Sequence, residues 1–411
     1  MGGDVKIFLH SSLAFSLINF RGALLQALVA AGHDVVATAP DRDPEVLAKL
    51  AAMGIGFEQV PMARASLDPI ADLRTIAAYV RLMRKHRPDV VIAYTQKPII
   101  YGGIAARLTG RAQFHVLMSG LGYVFSAEAD KRRLLRRFVS SLYREGVRAA
   151  RTIFVFNSDD RHEMLAHGII SDRHYVVQVS GSGVDTAAFA ARPLPDGPPV
   201  VLMIARLMRD KGVYDFVQAA RLVKARMPAV RFQILGRIEP NNPTAVSPAE
   251  CRRWTEEGIV DILPETRDVR PFLARSTLFA LPSFYREGLP RTILEALASG
   301  RPVITTDLPG CRDAIVDGRN GRLIPPRNPV ALAEAVVETL SDPAALRAMA
   351  DAARKAAVDR YDVHGVNEVL LACMKLDRDQ PGGSADPLPQ RALRRGQAAA
   401  KVAAGGGYGP A

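Results

Sequence analysis

Residues 283–307 read SFYREGLPRTILEALASGRPVITTD, a loop with Glu287, a helical run with Glu295 closed by Gly300, and a Val/Ile strand. The preceding residues 276–283, STLFALPS, are themselves strand-like. A short buried strand, a helix and a second buried strand form a crossover unit, and such units produce parallel sheets.

Outward from this unit the same rhythm repeats. VVLMIAR (200–206), RFQILG (231–236), IVDILP (259–264) and GRLIPP (321–326) are further apolar runs separated by helical stretches. An earlier series comprises VKIFLH (5–10), DVVATAP (34–40), DVVIAYT (89–95), AQFHVLMS (112–119), TIFVFN (152–157) and HYVVQV (174–179). Two doubly wound α/β domains are predicted, with helices on both faces of each sheet. The chain of 411 residues exceeds what one core usually supports. ARPLPDGPP (191–199) is the predicted linker between an N-terminal domain, 1–190, and a C-terminal domain, 200–360. A closing helix, 361–376, is expected to pack back toward the first domain, and the Gly-, Pro- and Ala-rich stretch 377–411 reads as a disordered tail. Open α/β sheets bind ligands beyond the carboxyl ends of their strands, so a cleft between the two domains is the expected active site.

Charge narrows the partners. The net charge is +12, which favours phosphate-bearing ligands or an anionic membrane. Three isolated cysteines suggest neither a disulfide framework nor a zinc site. No apolar run is long enough to span a bilayer, so a cytoplasmic protein, peripheral on the inner face of the cytoplasmic membrane, is expected. Aromatic content is 6% and no nucleic-acid-binding motif is present, which argues against nucleic acid as a partner.

Arg206 ends a strand and Lys211 precedes a helix, so the two cations and the helix end together suit a diphosphate. Taken alone, they are equally read as solvated loop charges. Glu287 and Glu295 flank seven residues, and carboxylates at such spacing suit hydroxyl groups of an elongated ligand. The plainer alternative is one turn carboxylate and one exposed helix carboxylate.

Arg206-x4-Lys211 followed by Glu287-x7-Glu295 resembles the retaining glycosyltransferases of family 4, which have the two-domain GT-B fold. The resemblance runs from about Val5 to about Tyr361. Its capsule and surface-polysaccharide character lies in SLINFRGALLQALVAAGHDVVATAP, QKPIIYGGIAARLTG, SGLGYVF, SGSGVD and EGLPRTILEALASGRPVITTDLPGCRD. The resemblance implies a UDP-sugar donor and a polyprenyl-diphosphate-linked sugar acceptor, with transfer of a hexose or N-acetylhexosamine. It further implies Arg206 and Lys211 on the donor diphosphate, Glu295 on the ribose, and Glu287 with the backbone at Gly288 and Leu289 toward the donor sugar. Glu287, Arg206 and Lys211 are the candidate catalytic residues. No cofactor or metal is implied beyond the UDP-sugar co-substrate.

On the first domain, Asn19 and Arg21 are expected at the positive end of a helix starting near Phe20, on the acceptor side; otherwise Asn19 caps the helix and Arg21 points to solvent. Many relatives carry a histidine where Ser119 stands, before Gly120, and both are expected to line the acceptor pocket. His115 lies too early in its strand for that role and reads as a packed histidine. The D-x-D pairs Asp41/Asp43 and Asp377/Asp379 read as chance occurrences, with Asp43-Pro44 a helix start.

Lys131 to Arg151 hold eight basic residues and one acid, with Leu134, Leu135, Phe138, Leu142 and Val147 at helical spacing. This helix is expected either to lie on an anionic membrane or to pack its apolar face on the sheet. A nucleotide-sugar epimerase of the same architecture is the alternative enzyme. A dinucleotide-dependent oxidoreductase is disfavoured because Phe125 stands where the third glycine of Gly120-x-Gly122 would be.

Overall fold

The computed structural model describes residues 5–63, 68–122, 125, 133–239 and 242–377. The chain divides into two compact units, Met1–Ser182 with His364–Ala411, and Gly183–Val363.

The first unit alternates β1 (Lys6–His10), α1 (Ala14–Ala30), β2 (Asp34–Ala39), α2 (Pro44–Ala52), β3 (Gly56–Gln59), α3 (Pro69–His86), β4 (Val90–Tyr94), α4 (Gly103–Thr109), β5 (Gln113–Met118), α5 (Arg133–Val147), β6 (Ala150–Val155), α6 (Ser158–Ala166) and β7 (Val176–Gln178). The sheet order is β3-β2-β1-β4-β5-β6-β7, and among the described residues every pairing is parallel. All five β4 residues are buried, as the continuous apolar run requires of a strand covered on both faces. β3 was not predicted. It is an edge strand, GFEQ, with no fully buried residue, so it lacks the apolar run that marks the others.

Helix α1 begins at Ala14 rather than near Phe20. Its cap residue Leu13 supplies no side-chain bond; instead Asp41 Oδ1 accepts from Ala14 N at 2.9 Å. Asp43 caps α2 by accepting from the N–H groups of Glu45 and Val46. The D-x-D aspartates therefore serve two helix starts, while Arg378 and Asp379 lie outside the described residues.

The basic helix divides its apolar residues differently from the predicted single face. Val139, Tyr143 and Val147 are buried with Leu135 and Leu142 packed beside them, whereas Leu134 is 80% and Phe138 56% exposed. Backbone contact fixes that orientation, because a Cβ on Gly146 would lie 2.5 Å from Ile100 Cα. Lys131 and Arg132 lie outside the described residues.

The second unit comprises β8 (Val200–Ile204), α7 (Val213–Arg226), β9 (Arg231–Leu235), α8 (Pro248–Glu256), β10 (Asp261–Leu263), α9 (Arg270–Arg275), β11 (Leu278–Leu281), α10 (Arg291–Ala298), β12 (Val303–Thr306), β13 (Gly321–Ile324), α11 (Pro329–Ser341) and α12 (Pro343–Tyr361). Its six strands are ordered β10-β9-β8-β11-β12-β13, again in parallel pairs. Asn328 and Asp342 cap α11 and α12, each with proline at the first helical position.

The passage between units falls at Ser182/Gly183, ahead of the predicted 191–199 linker. That stretch is held to the second unit by arginines that sequence spacing does not reveal. Buried Arg301 donates to the carbonyls of Pro193, Leu273 and Ala274, and Arg354 donates to those of Thr186 and Phe189. The last helix, α13 (Val363–Met374), follows the return at Val363/His364, and Leu376 O lies 2.8 Å from His33 Nε2 within the first unit.

His115 is fully buried in β5, and neither ring nitrogen has a hydrogen-bond partner. Burial, with Arg151 nearby, pushes its pKa down to about 4. A lowered folded-state pKa means that the unfolded chain binds the proton more tightly. The stability contribution is intact above the unfolded value and is lost as pH falls toward 4. Urea unfolding should show lower stability at about pH 5 than at pH 7, and His115→Leu should remove about 2 kcal/mol of that difference. An unchanged pH slope in the variant would contradict this account.

Candidate active site

In the second unit, β8 and β11 are adjacent strands from opposite windings of the sheet, with β9 and β10 beyond one and β12 and β13 beyond the other. Ligands of open α/β sheets bind at such a switch, beyond the carboxyl ends. The segments leaving these strands carry Arg206, Lys211 and Glu287.

After β8 the chain forms a short turn, Arg209–Lys211, and enters α7 through Gly212 at φ 78°. A Cβ there would sit 2.0 Å from Pro282 O, so only glycine lets the loop after β8 lie against the loop after β11. The backbone locks the two loops together, with Asp210 O accepting from Phe284 N and Tyr285 N, both at 2.9 Å.

On this frame Lys211 Nζ forms an ion pair with Glu287 Oε1, and the two side chains are 13% and 12% exposed. Ser283 Oγ donates to the same carboxylate oxygen at 3.0 Å, and the ammonium lies 4.8 Å from the Tyr285 ring centroid. Cys311 is buried nearby; burial first, then the Glu287 charge, raises its thiol to about 12. Among the described residues this is a nearly dry, charge-balanced pair beside a helix start. An incoming anion can claim the ammonium there at high effective strength.

Glu295 stands in α10, which begins only at Arg291, so the loop and the helix share the span from Glu287. Its side chain is 9% exposed, and Oε1 accepts from Arg291 Nε at 2.9 Å. Burial raises its pKa, and the Arg291 charge and hydrogen bond oppose that rise. Arg206 is placed differently from Lys211. Its Nη1 lies 2.9 Å from Glu239, which Arg237 also pairs at 3.0 Å, and its side chain is 42% exposed. Burial works against the Glu239 charge, yet the two arginines hold its carboxyl below the ordinary range. The structure thus joins Lys211 and Glu287 and leaves Arg206 in a separate exposed cluster.

In the first unit, the expected placement of Asn19 and Arg21 at a helix end is corrected. Both lie inside α1, and Arg21 is buried with its guanidinium 5.1 Å from the Tyr94 ring centroid and 5.6 Å from that of Phe156. Ser119 is exposed just past β5, followed by Gly120 at φ 115°. Ser12 and Thr95, beyond β1 and β4, were not singled out from sequence. Their hydroxyls are 2.9 Å apart, and the available signal was a Ser and a Thr immediately after strand-like runs.

Residues 198–342 match the family described as glycosyl transferases group 1, and residues 20–180 match the glycosyl transferase 4-like domain. A Campylobacter jejuni protein, N,N'-diacetylbacillosaminyl-diphospho-undecaprenol alpha-1,3-N-acetylgalactosaminyltransferase, is 26% identical over 349 residues, covering 82% of this chain and 90% of that protein. The Staphylococcus aureus capsular polysaccharide biosynthesis glycosyltransferase CapM is 22% identical over 76% of this chain and 82% of its own. Anabaena HepE, solved in complex with UDP, superposes with a TM-score of 0.73 at 19% identity, covering 90% of this chain and 99% of that one.

Gly310 supports the Glu287 loop from behind. At φ 81°, a Cβ would lie 2.6 Å from Glu287 O and 2.7 Å from Gly288 O. Gly318 has a similar φ of 71° but open space around it. Gly318→Ala should therefore cost about 1–2 kcal/mol in urea unfolding, from backbone strain alone. Gly310→Ala should cost at least about 1 kcal/mol more, from the added clash. Equal losses would show that the loop does not rest on this contact.

Proposed function

The chain belongs to the group 1 glycosyltransferases and has the GT-B fold, and on that premise we propose that it moves a hexose or N-acetylhexosamine from a UDP-sugar to a polyprenyl-diphosphate-linked sugar, with retention. The observation that carries this reading is the Lys211–Glu287 pair at the β8/β11 switch. The C. jejuni relative is named for a diphospho-undecaprenol-linked acceptor. Solved complexes of HepE contain UDP, UDP-glucose, or UDP with glucose.

In this reading the donor diphosphate takes Lys211 from Glu287, and Arg206 leaves Glu239 to join it. Glu287 is then free to accept from donor-sugar hydroxyls, beside the backbone at Gly288 and Leu289, and Glu295 accepts from the ribose. The bond from the sugar C1 to the diphosphate oxygen breaks as the acceptor oxygen bonds C1 on the same face. The acceptor proton passes to the departing diphosphate. Negative charge grows on that diphosphate in the transition state, so fixed cations act there more strongly than in the ground state, and no divalent metal is required.

Steady-state kinetics test this directly, with UDP release followed across UDP-sugars and a membrane-extracted lipid-linked acceptor, in excess chelator. Lys211→Ala should lower kcat by roughly 10²–10³-fold, about 2.7–4 kcal/mol, and Arg206→Ala should act in the same direction. Glu295→Ala should chiefly raise the donor KM, because the ribose does not change charge during transfer. Near-normal turnover of both cation variants, or turnover that depends on added Mg or Mn, would overturn the diphosphate clamp.

We further propose that the outer face of α5 rests on an anionic bilayer. Leu134 and Phe138, one turn apart, are exposed beside the exposed Arg133 and Arg137. Apolar side chains on a basic helix face are the pattern of an interfacial helix. Among the described residues no helix is long and apolar enough to cross a membrane. Each cation near the surface contributes about 1 kcal/mol. Co-sedimentation with phosphatidylglycerol vesicles should fall at least about tenfold in Arg133→Glu/Arg137→Glu and also in Leu134→Ser/Phe138→Ser, and added salt should weaken it. Binding that survives both changes would remove α5 from the interface.

A further inference from the structure

Among the described residues, four that are not glycine have positive φ: Arg87, Thr95, Arg327 and Lys375. Thr95, at φ 66°, is the β-branched one, and a branched Cβ makes this backbone region costly. The turn from β4 into the following helix could be made by glycine or asparagine without that cost. Strain held at a single residue points to its side chain as the reason for its presence.

The surroundings agree. The helical path after Thr95 contains a π-helical turn, Pro98–Gly102, a form concentrated at functional sites. In the sheet order β3-β2-β1-β4-β5, Ser12 follows β1 and Thr95 follows β4, so the pair marks the topological switch of the first unit. Thr95 Oγ1 donates to Ser12 Oγ at 2.9 Å, and both residues are partly exposed. Beneath them runs a buried hydroxyl chain, with Ser11 Oγ 2.8 Å from Ser16 Oγ and Ser16 Oγ 2.8 Å from Tyr94 OH. The nearby Lys97 is already paired with Asp72 at 2.6 Å, both mostly buried. The Ser12–Thr95 pair itself offers neutral donors and acceptors, which is the chemistry that recognises sugar hydroxyls.

We propose that Thr95 and Ser12 bind hydroxyl groups of the acceptor sugar and set its position for transfer. The proposal rests on the transferase reading above and names residues that bind the acceptor in the first unit. In the free protein the Thr95 proton goes to Ser12. In the complex the Ser12 proton and the Thr95 lone pairs are available to the sugar, and the left-handed backbone holds Thr95 Oγ1 where a relaxed loop would not.

The test uses the full chain, a membrane-extracted lipid-linked sugar acceptor and UDP-binding calorimetry. Thr95→Val keeps the branched shape and loses the hydroxyl, and it should raise the acceptor KM by about tenfold. Thr95→Ser keeps the hydroxyl and should restore that KM to within about twofold of the parent. Ser12→Ala, in ordinary backbone, should reproduce the Thr95→Val effect if Thr95→Val folds poorly by circular dichroism. UDP affinity should stay unchanged in all three. An unchanged acceptor KM in Thr95→Val or Ser12→Ala, or failure of Thr95→Ser to restore it, would overturn the assignment. No UDP binding by the parent, or no transfer by it, would instead overturn the transferase reading.

Discussion

Among the described residues every strand pairing in both sheets is parallel, and this constraint decides where chemistry can occur. A parallel neighbour can be reached only through a crossover, so all the carboxyl ends in a sheet fall on one edge. Where the winding reverses, between β1 and β4 and again between β8 and β11, the two outgoing loops meet and bring side chains distant in sequence together at that edge. Ser12 and Thr95 occupy the first such place, and Lys211 and Glu287 the second.

The two places differ in chemistry because their loops are held differently. In the second unit, glycine at 212 and backbone bonds to Asp210 O bring an ammonium and a carboxylate into a nearly dry contact. Separating a buried pair of this kind leaves a carboxylate without its cation, so a ligand that takes Lys211 must also give Glu287 new hydrogen-bond partners. In the first unit, the charged side chains near the switch are already occupied, Arg21 against aromatic rings and Lys97 by Asp72. The pair at the switch itself, Ser12 and Thr95, is neutral hydroxyl. The second sheet thus carries a charged pair at its switch and the first a pair of hydroxyls.

The buried strands were legible because a strand covered on both faces must be apolar throughout, and β4 and β11 are so along their whole length. β3 was not, since an edge strand with Phe57 as its one large apolar residue carries no such run. The start of α1 was misplaced because its cap comes from Asp41 and not from a neighbouring side chain. The unit boundary was misplaced for a similar reason. A Pro- and Gly-rich segment resembles a free linker until Arg301 and Arg354 are found holding its carbonyls and those just before it. The apolar residues of α5 had the right helical spacing, but spacing does not say which of two adjacent stripes meets the sheet, and Gly146 against Ile100 makes that choice.

The amino-acid sequence by itself determined the two doubly wound sheets, the helix start at Asp43, and the spacing of the charged motif Arg206, Lys211, Glu287 and Glu295. These depend on periodicity, caps and turns, which are set by residues within a few positions of one another. Only the tertiary structure decided which of the motif's charges meet. Lys211 and Glu287 are 76 residues apart in the chain and joined through two loops, whereas Arg206 turns to Glu239. It likewise decided that Arg21 is buried, and that Thr95 stands in a left-handed turn against Ser12, 83 residues away. Contacts over such separations arise from sheet order and loop packing, and no local pattern of side chains encodes them.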